Sequence, residues 1–398
     1  MRVRWGFIHG ARTDLTWYIG SSLAGWLYVV LVLTLGRGLD DPIREPFYTV
    51  SIFGGSLSLT LGLLVVASWA LLIDAPHVWA TLARTWLDPD EWSNRRGILL
   101  TSTIWFALGP ATILGPYVVG AFIPLEASVQ ALPAHLFFVF FRLWAYYHVV
   151  RQHWGFLVLY KKKNDDIDPI EDRADFWFFN LALYLPLILF IASPWFESSG
   201  MPSLGIGEPL RSTLRAVVIV AYPFAISSYS FFQIHRYRAG HPRNGPKLLF
   251  LLSIVPLHLV VFSHPLLALF IVPVVTVGHN LQYHRIVWAF GRNKYAPLTP
   301  LPFRWARAAF RSVPVYFALG LAFTFLLYQG PWIEVVKFHL ARLVDAFALI
   351  GGVSDPRSAH LGARVAATLF LGWAMQHYYL DAKIWRVRTD PSLARYIS

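Results

Sequence analysis

Long apolar runs separated by short basic loops dominate this sequence and limit the folds open to it. A run of about 20 apolar residues can cross a bilayer as a helix, because a helix satisfies its own backbone hydrogen bonds where water is absent. Of the 398 residues, 56% are hydrophobic and only 14% are charged, which is more apolar than a soluble domain of this length requires. The sequence therefore predicts an all-α, polytopic transmembrane helix bundle that forms a single integral membrane domain over residues 1–398.

The distribution of apolar runs predicts about ten membrane spans. The ten predicted spans are residues 15–35, 50–73, 97–122, 132–160, 176–192, 214–234, 248–262, 265–290, 313–328 and 359–386. Charged and apolar residues are interleaved over residues 331–350, which we expect to lie on the membrane surface as an amphipathic helix.

The distribution of basic residues predicts how these spans are oriented in the membrane. Lysine and arginine are concentrated in the loops that follow even-numbered spans, and the other loops contain fewer of them. Since basic loops stay in the cytoplasm, we expect both termini to be cytoplasmic and the membrane to be the bacterial inner membrane. This topology, together with attraction to anionic lipid, accounts for the net charge of +12, so nucleic acid is not an expected partner.

Histidines and aspartates collect at the predicted cytoplasmic ends of the spans. Ionisable groups are costly at membrane depth and mark functional sites, and imidazole together with carboxylate suits iron, manganese or zinc. The sequence has no cysteine, which excludes thiolate-ligated haem, iron–sulfur clusters and c-type haem. We predict a metal site with ligands drawn from Asp74, His77, His148, His153, His235, His279, His284, His377 and Asp381.

The fourth and eighth predicted spans carry the same short motif, His-x4-His, at residues 148–153 and 279–284. Five residues advance an ideal helix by about 500°, which leaves the two histidines of a motif about 140° apart. Either a π-bulge closes this angle, or the two rings serve different ligand sets.

The His-x4-His motif is similar to the first histidine box of membrane fatty-acid desaturases. The collection of histidines from several helices at one face resembles membrane di-iron desaturases, hydroxylases and alkane monooxygenases, and His279-Asn280 is similar to the start of a late desaturase box. This resemblance implies a non-haem iron cofactor of one or two ions, ligated by the histidines of the two motifs. It also implies oxygen chemistry on a lipid-like substrate.

Arg142 lies near the middle of the fourth predicted span, on the same helical face as His135. A functional interpretation is that these residues line a cavity in which Arg142 holds the carboxylate or phosphate of an amphiphilic substrate. The alternative is an internal ion pair or a bond to a backbone carbonyl. The side chains expected to support the metal ligands by hydrogen bonding are Gln152, Asn280, Gln282, Tyr283 and Gln376.

These patterns favour a membrane oxidoreductase in which non-haem iron, as one or two ions, activates oxygen to hydroxylate, desaturate or cleave a lipid-like substrate at the cytoplasmic face. The expected partners are that hydrophobic substrate and an electron donor. Two alternatives remain open from the sequence. One is a haem-binding membrane protein with axial histidines, and the other is a transporter with a histidine and aspartate relay for protons or a metal such as zinc.

Overall fold

The fold is predominantly helical, as predicted. The computed structural model describes residues 3–52, 55–120, 122–295, 301–350, 361–386, 390 and 392–397. In chain order the α-helices are α1 (Ala11–Thr13), α2 (Ser22–Leu35), α3 (Ala75–Thr85), α4 (Pro89–Ser102), α5 (Trp105–Gly120), α6 (Ala127–Lys163), α7 (Pro169–Ile191), α8 (Glu208–Arg238), α9 (Gly245–Ser263), α10 (Pro265–Ala268), α11 (Ile271–Lys294), α12 (Arg304–Ala309), α13 (Val313–Phe323), α14 (Pro331–Ile350), α15 (Leu361–Ile384) and α16 (Ser392–Tyr396). Shorter π-helical segments cover Asp14–Ile19, Gly62–Ala67, Ala70–Asp74 and Thr324–Tyr328, and Leu301–Phe303 is a 3₁₀ turn.

Several helices are long and apolar enough to cross a membrane, which is compatible with an integral membrane protein. Within the described residues there are seven, at Gly62–Thr85, Pro89–Gly120, Ala127–Lys163, Pro169–Ile191, Glu208–Arg238, Gly245–Ser263 and Val313–Ala346. The bent pair Ala11–Ile19 and Ser22–Leu35, with an angle of 41° between its parts, gives an eighth if it counts as one span. Residues 359 and 360, which begin the tenth predicted span, lie outside the described part of the chain.

The start of the second predicted span is wrong. Strands β2 (Pro46–Ile52) and β3 (Gly55–Thr60) form an antiparallel hairpin there, and the helical segment begins only at Gly62. The physical reason is the alternation of polar and apolar residues in Ser56-Leu57-Ser58-Leu59-Thr60, which has the period of a strand and not of a helix. A sliding average of hydrophobicity hides this alternation.

The chain divides into two compact units, residues 1–70 with 149–285 and residues 71–148 with 286–398. In the first unit, α7 packs against α8 and α9, and α2 packs against α9. Gly25 of α2 allows a close approach, since a Cβ atom built on it would lie 2.7 Å from the side chain of Leu257 and from the carbonyl oxygen of Val274. Two short strands, β1 (Val3–Arg4) and β4 (Arg243–Asn244), pair in parallel.

In the second unit, α15 packs against α5 and α14, and α13 packs against α3. Gly372 of α15 meets Phe106 so closely that a Cβ atom would lie 2.6 Å from the phenyl ring. Small residues at such a crossing let helix backbones approach and maximise van der Waals contact, which is the main source of helix association in lipid. This packing fixes the position of α15 and therefore of its polar residues.

Candidate metal centre

Three buried histidines from three helices meet in the second unit. His77 of α3, His148 of α6 and His377 of α15 are each less than 8% exposed. The ring centroids of His77 and His377 are 4.4 Å apart, and those of His148 and His377 are 4.8 Å apart. One nitrogen of each ring lies within 4.8 Å of one nitrogen of both others. Their ring nitrogens are therefore close enough to bind one ion.

Thr81 of α3 determines which nitrogen of His377 carries the proton. Its hydroxyl donates to Oδ1 of Asp381 over 2.8 Å and lies 2.6 Å from Nδ1 of His377. A hydroxyl has only one proton, and a carboxylate can only accept. Nδ1 of His377 must therefore donate to the Thr81 oxygen, which leaves the lone pair on Nε2. Metal-binding histidines are oriented in this way by partners on their other nitrogen.

The second oxygen of Asp381 lies near two of these histidines. Oδ2 lies 3.8 Å from Nε2 of His148 and 3.8 Å from Nδ1 of His377, which is too long for a hydrogen bond. Two ligands of one ion, each about 2.0–2.2 Å from it, can be separated by up to about 4.2 Å. The distance between Asp381 and His148 therefore matches two ligands of one cation.

The surroundings of these ligands are aromatic, with few polar side chains. Tyr378 packs against the rings of His148 and His377, at centroid distances of 4.8 Å and 5.5 Å. Asp74, at the end of a π-helical turn, interacts electrostatically with the hydroxyl of Tyr378. Gln376 donates to the hydroxyl of Ser102 over 2.9 Å, so it ties α15 to α4.

A second group of buried histidines lies in the first unit. The ring of His153 is 5.9 Å from that of His258 and 6.1 Å from that of His279. Nδ1 of His258 donates to the carbonyl of Ile254 over 2.9 Å, so its lone pair is on Nε2. His258 was not among the predicted ligands, since its position in the seventh predicted span suggested the outer surface.

The His-x4-His motif does not direct both of its rings to the same group. Helix α6 is α-helical throughout residues 127–163, with no π-bulge between His148 and His153. The angle of about 140° between them therefore persists. His148 joins the group of the second unit, and His153 joins that of the first. Of the two sequence-based possibilities, the π-bulge is therefore absent from α6, and the assignment of the two rings to different ligand sets stays a prediction.

The remaining predicted site residues are distributed over both units. In the first unit, His235 is exposed at the end of α8 and packs on Phe231, while His284, Asn280 and Tyr283 of α11 are buried. Gln152 donates to the carbonyl of His279, and Gln282 donates to the carbonyl of Tyr18, both over 2.8 Å, so these amides position helices. In α6, Arg142 is exposed and His135 is half-buried.

Two buried ionic groups were missed by the sequence analysis. In the first unit, Lys247 Nζ lies 2.8–3.1 Å from carboxylate oxygens of Asp166, Glu171 and Asp175. These carboxylates are close enough to hold a metal ion, but Lys247, together with Lys161 beside Asp175 and Arg236 beside Glu171, already supplies positive charge there. The sequence feature that could have revealed this group is Lys247. It lies in the first turn of α9, whereas we predicted that it lies in a cytoplasmic loop.

The other ionic group lies in the second unit, where α3 leads into α4. Arg84 is fully buried and bonds to Glu91 over 2.6 Å, with its guanidinium 3.9 Å from the ring centroid of Phe290. Asp88 accepts from Lys294 at 2.6 Å and from the hydroxyl of Tyr295 at 2.8 Å. Burial and the neighbouring Asp88 carboxylate raise the pKa of Tyr295 well above its ordinary value. These bonds anchor the end of α3, two turns beyond His77.

No protein family, curated protein or solved structure matches this chain.

Proposed function

We propose that this chain is an integral membrane oxidoreductase that uses non-haem iron, bound by His77, His148, His377 and Asp381. The observation that carries this proposal is the meeting of three buried imidazoles and one carboxylate from three helices, with Thr81 holding His377 in a ligating tautomer. Histidines and a carboxylate arranged on one side of an ion, with open positions opposite, are typical of iron sites that bind oxygen.

The spacing of the rings supports ligands on the same side of one ion. An imidazole whose nitrogen is about 2.1 Å from a metal has its ring centre about 3.2 Å away. Two such rings at 90° are about 4.5 Å apart, and two on opposite sides are about 6.4 Å apart. The observed 4.4 Å and 4.8 Å fit the first arrangement. Axial histidines on opposite faces of a haem would need the second, so these rings do not favour the haem alternative.

The chain's own residues have defined tasks in such a site. Bound iron supplies the one-electron chemistry that activates oxygen. Thr81 relays the negative charge of Asp381 to His377, which fixes the ring and raises its basicity. Tyr378 covers the rings of His148 and His377, so it keeps bulk water away from them. The long apolar helices would admit a hydrophobic substrate from the bilayer.

The remaining elements of the proposal concern orientation and partners. We propose ten spans with both termini in the cytoplasm, since the basic loops follow the positive-inside pattern, and a bacterial inner membrane as the location. The substrate class is lipid-like, and the electron donor approaches from the basic face. Arg142 remains our candidate for binding the polar group of an amphiphilic substrate, with His135 on the same face of α6. The histidine group of the first unit is the candidate for a second iron.

Elemental analysis of the purified full-length protein tests the metal proposal. We expect iron in the wild type without the intense Soret absorption of haem, and a loss of iron in His148→Ala. His235→Ala is the matched control, because it removes a predicted but exposed histidine and should leave the iron content unchanged. Full iron content in His148→Ala, or a Soret band that accounts for all the iron, would refute the proposal.

A further inference from the structure

An open cavity lies in the first unit, where the end of α6 turns into the start of α7. Its volume is about 520 Å³, and its apolar walls are formed by the side chains of Trp154, Val158, Ile167, Pro169 and Phe176. The rings of Trp154 and Phe176 meet edge to face with centroids 5.4 Å apart, a favoured arrangement of aromatic side chains. The cavity is therefore large and apolar enough to accept part of a flexible apolar chain.

The rim of this cavity carries an excess of positive charge. Lys162 and Arg173 are exposed on the rim, and among the described residues neither forms an ion pair. Lys161 is buried instead and is paired with Asp172, at 2.9 Å, and with Asp175. Asp172 is the acidic residue of the cavity lining, and Lys161 pairs with it. The two exposed cations, Lys162 and Arg173, therefore give the rim a positive charge.

We propose that this cavity binds an anionic phospholipid, whose phosphate contacts Lys162 and Arg173 and whose acyl chain lies along Trp154 and Phe176. Both flanking helices are long and apolar enough to cross a membrane, and apolar side chains of α7 next to the cavity, Ile170 and Trp177, are 63% and 59% exposed. A cavity with apolar walls and a cationic rim at the end of two such helices is complementary in charge and polarity to an anionic phospholipid at the membrane surface.

The test measures phosphatidylglycerol binding to the purified full-length chain in detergent by native mass spectrometry. The probes are phosphatidylglycerol, phosphatidylcholine and inorganic phosphate. We expect phosphatidylglycerol to bind more tightly than phosphatidylcholine. The double variant Lys162→Gln, Arg173→Gln should weaken phosphatidylglycerol binding about thirty-fold, since each cation near a lipid surface contributes about a five-fold change in affinity.

Matched controls separate this site from general attraction to a basic protein. The variant Arg96→Gln, Arg238→Gln removes two exposed cations elsewhere and should bind phosphatidylglycerol as the wild type does. Trp154→Ala should weaken binding of both phospholipids, whereas Trp177→Ala, outside the cavity lining, should not.

The proposal is overturned if Lys162→Gln, Arg173→Gln binds as the wild type does, or if the two phospholipids bind equally. It is also overturned if inorganic phosphate displaces phosphatidylglycerol while Trp154→Ala has no effect, because the site would then bind simple anions. The two double variants that remove cations should melt at the wild-type temperature without lipid, since exposed, unpaired cations contribute little to stability.

Discussion

Replacing Thr81 by valine removes one hydroxyl from the candidate metal centre and leaves its volume nearly unchanged. In the wild type that hydroxyl contacts both Nδ1 of His377 and Oδ1 of Asp381. Without it, His377 loses the acceptor that keeps its proton on Nδ1, and Asp381 loses a donor. We expect weaker metal binding, although Thr81→Val removes none of the proposed ligands.

The magnitude follows from the two lost bonds. Loss of an outer partner of a metal ligand weakens metal binding by about 10- to 100-fold, which corresponds to about 1.4–2.7 kcal/mol. Each buried polar group left without its partner costs about 1–3 kcal/mol, but bonds between membrane helices average only about 0.6 kcal/mol. We therefore expect the metal-free Thr81→Val protein to be destabilised by about 1–2 kcal/mol.

Competition with a chelator of known affinity measures the first effect, and the melting temperature of the metal-free protein in detergent measures the second. Thr81→Ser is the matched control, because it keeps the hydroxyl and should retain affinity within about two- to three-fold. If Thr81→Val binds metal as tightly as the wild type, His377 is not held by this bond and the assigned tautomer is wrong.

Three further predictions concern parts of the chain outside the metal centre. Lys247→Met removes a buried cation from the carboxylates of Asp166, Glu171 and Asp175. Because Arg236 still pairs with Glu171 and Lys161 with Asp175, we expect a loss of about 3 kcal/mol, at the lower end of the range for breaking a buried ion pair, measured by thermal unfolding; a loss below about 1 kcal/mol would contradict the burial of that group. Burial lowers the pKa of His9 from 6.5 to about 4, with nearby cations assisting. Because the folded state binds the proton less tightly, the stability that neutral His9 contributes is complete above pH 6.5 and is lost as the pH falls towards 4. His9→Gln should flatten the melting temperature over that range, and an unchanged slope would refute the assignment. Gly372→Ala should lower the melting temperature, because its Cβ would meet Phe106 at 2.6 Å, whereas Gly155→Ala, inside α6 with open space around its Cβ, should raise stability by about 0.5–1 kcal/mol; equal effects of the two substitutions would contradict the described crossing of α15 with α5.

The helical class could be predicted because the backbone of a membrane segment has few alternatives to a helix. Average hydropathy locates such segments but does not report their periodicity. It therefore placed residues 50–60 in a helix, although their alternating serines and leucines form strand β3 and its neighbour. It also cannot report bends, such as the 41° between Ala11–Ile19 and Ser22–Leu35, which depend on how neighbouring helices pack.

The histidine cluster could be predicted in part, since histidine and aspartate in apolar segments are rare enough to be noticed. Their grouping could not, because it depends on the rotation of each helix about its axis. His77, His148 and His377 meet, whereas His235 has the same type of position in its helix and is exposed. Thr81 had no distinguishing signal in the sequence, since threonine is common in membrane helices and gains its role only through contacts nearly 300 residues away along the chain.

The angle between His148 and His153 illustrates how helix rotation determines which histidines can lie together. An unbroken α-helix must direct residues five apart to different sides, so one motif could not supply both of its rings to one mononuclear site. The structure keeps α6 unbroken, with His148 next to His377 and His153 next to His258. Inserting a residue between them would rotate His153 by about 100° and leave His148 in place. Binding by the His77, His148 and His377 group should survive such an insertion only if that group binds metal independently of His153.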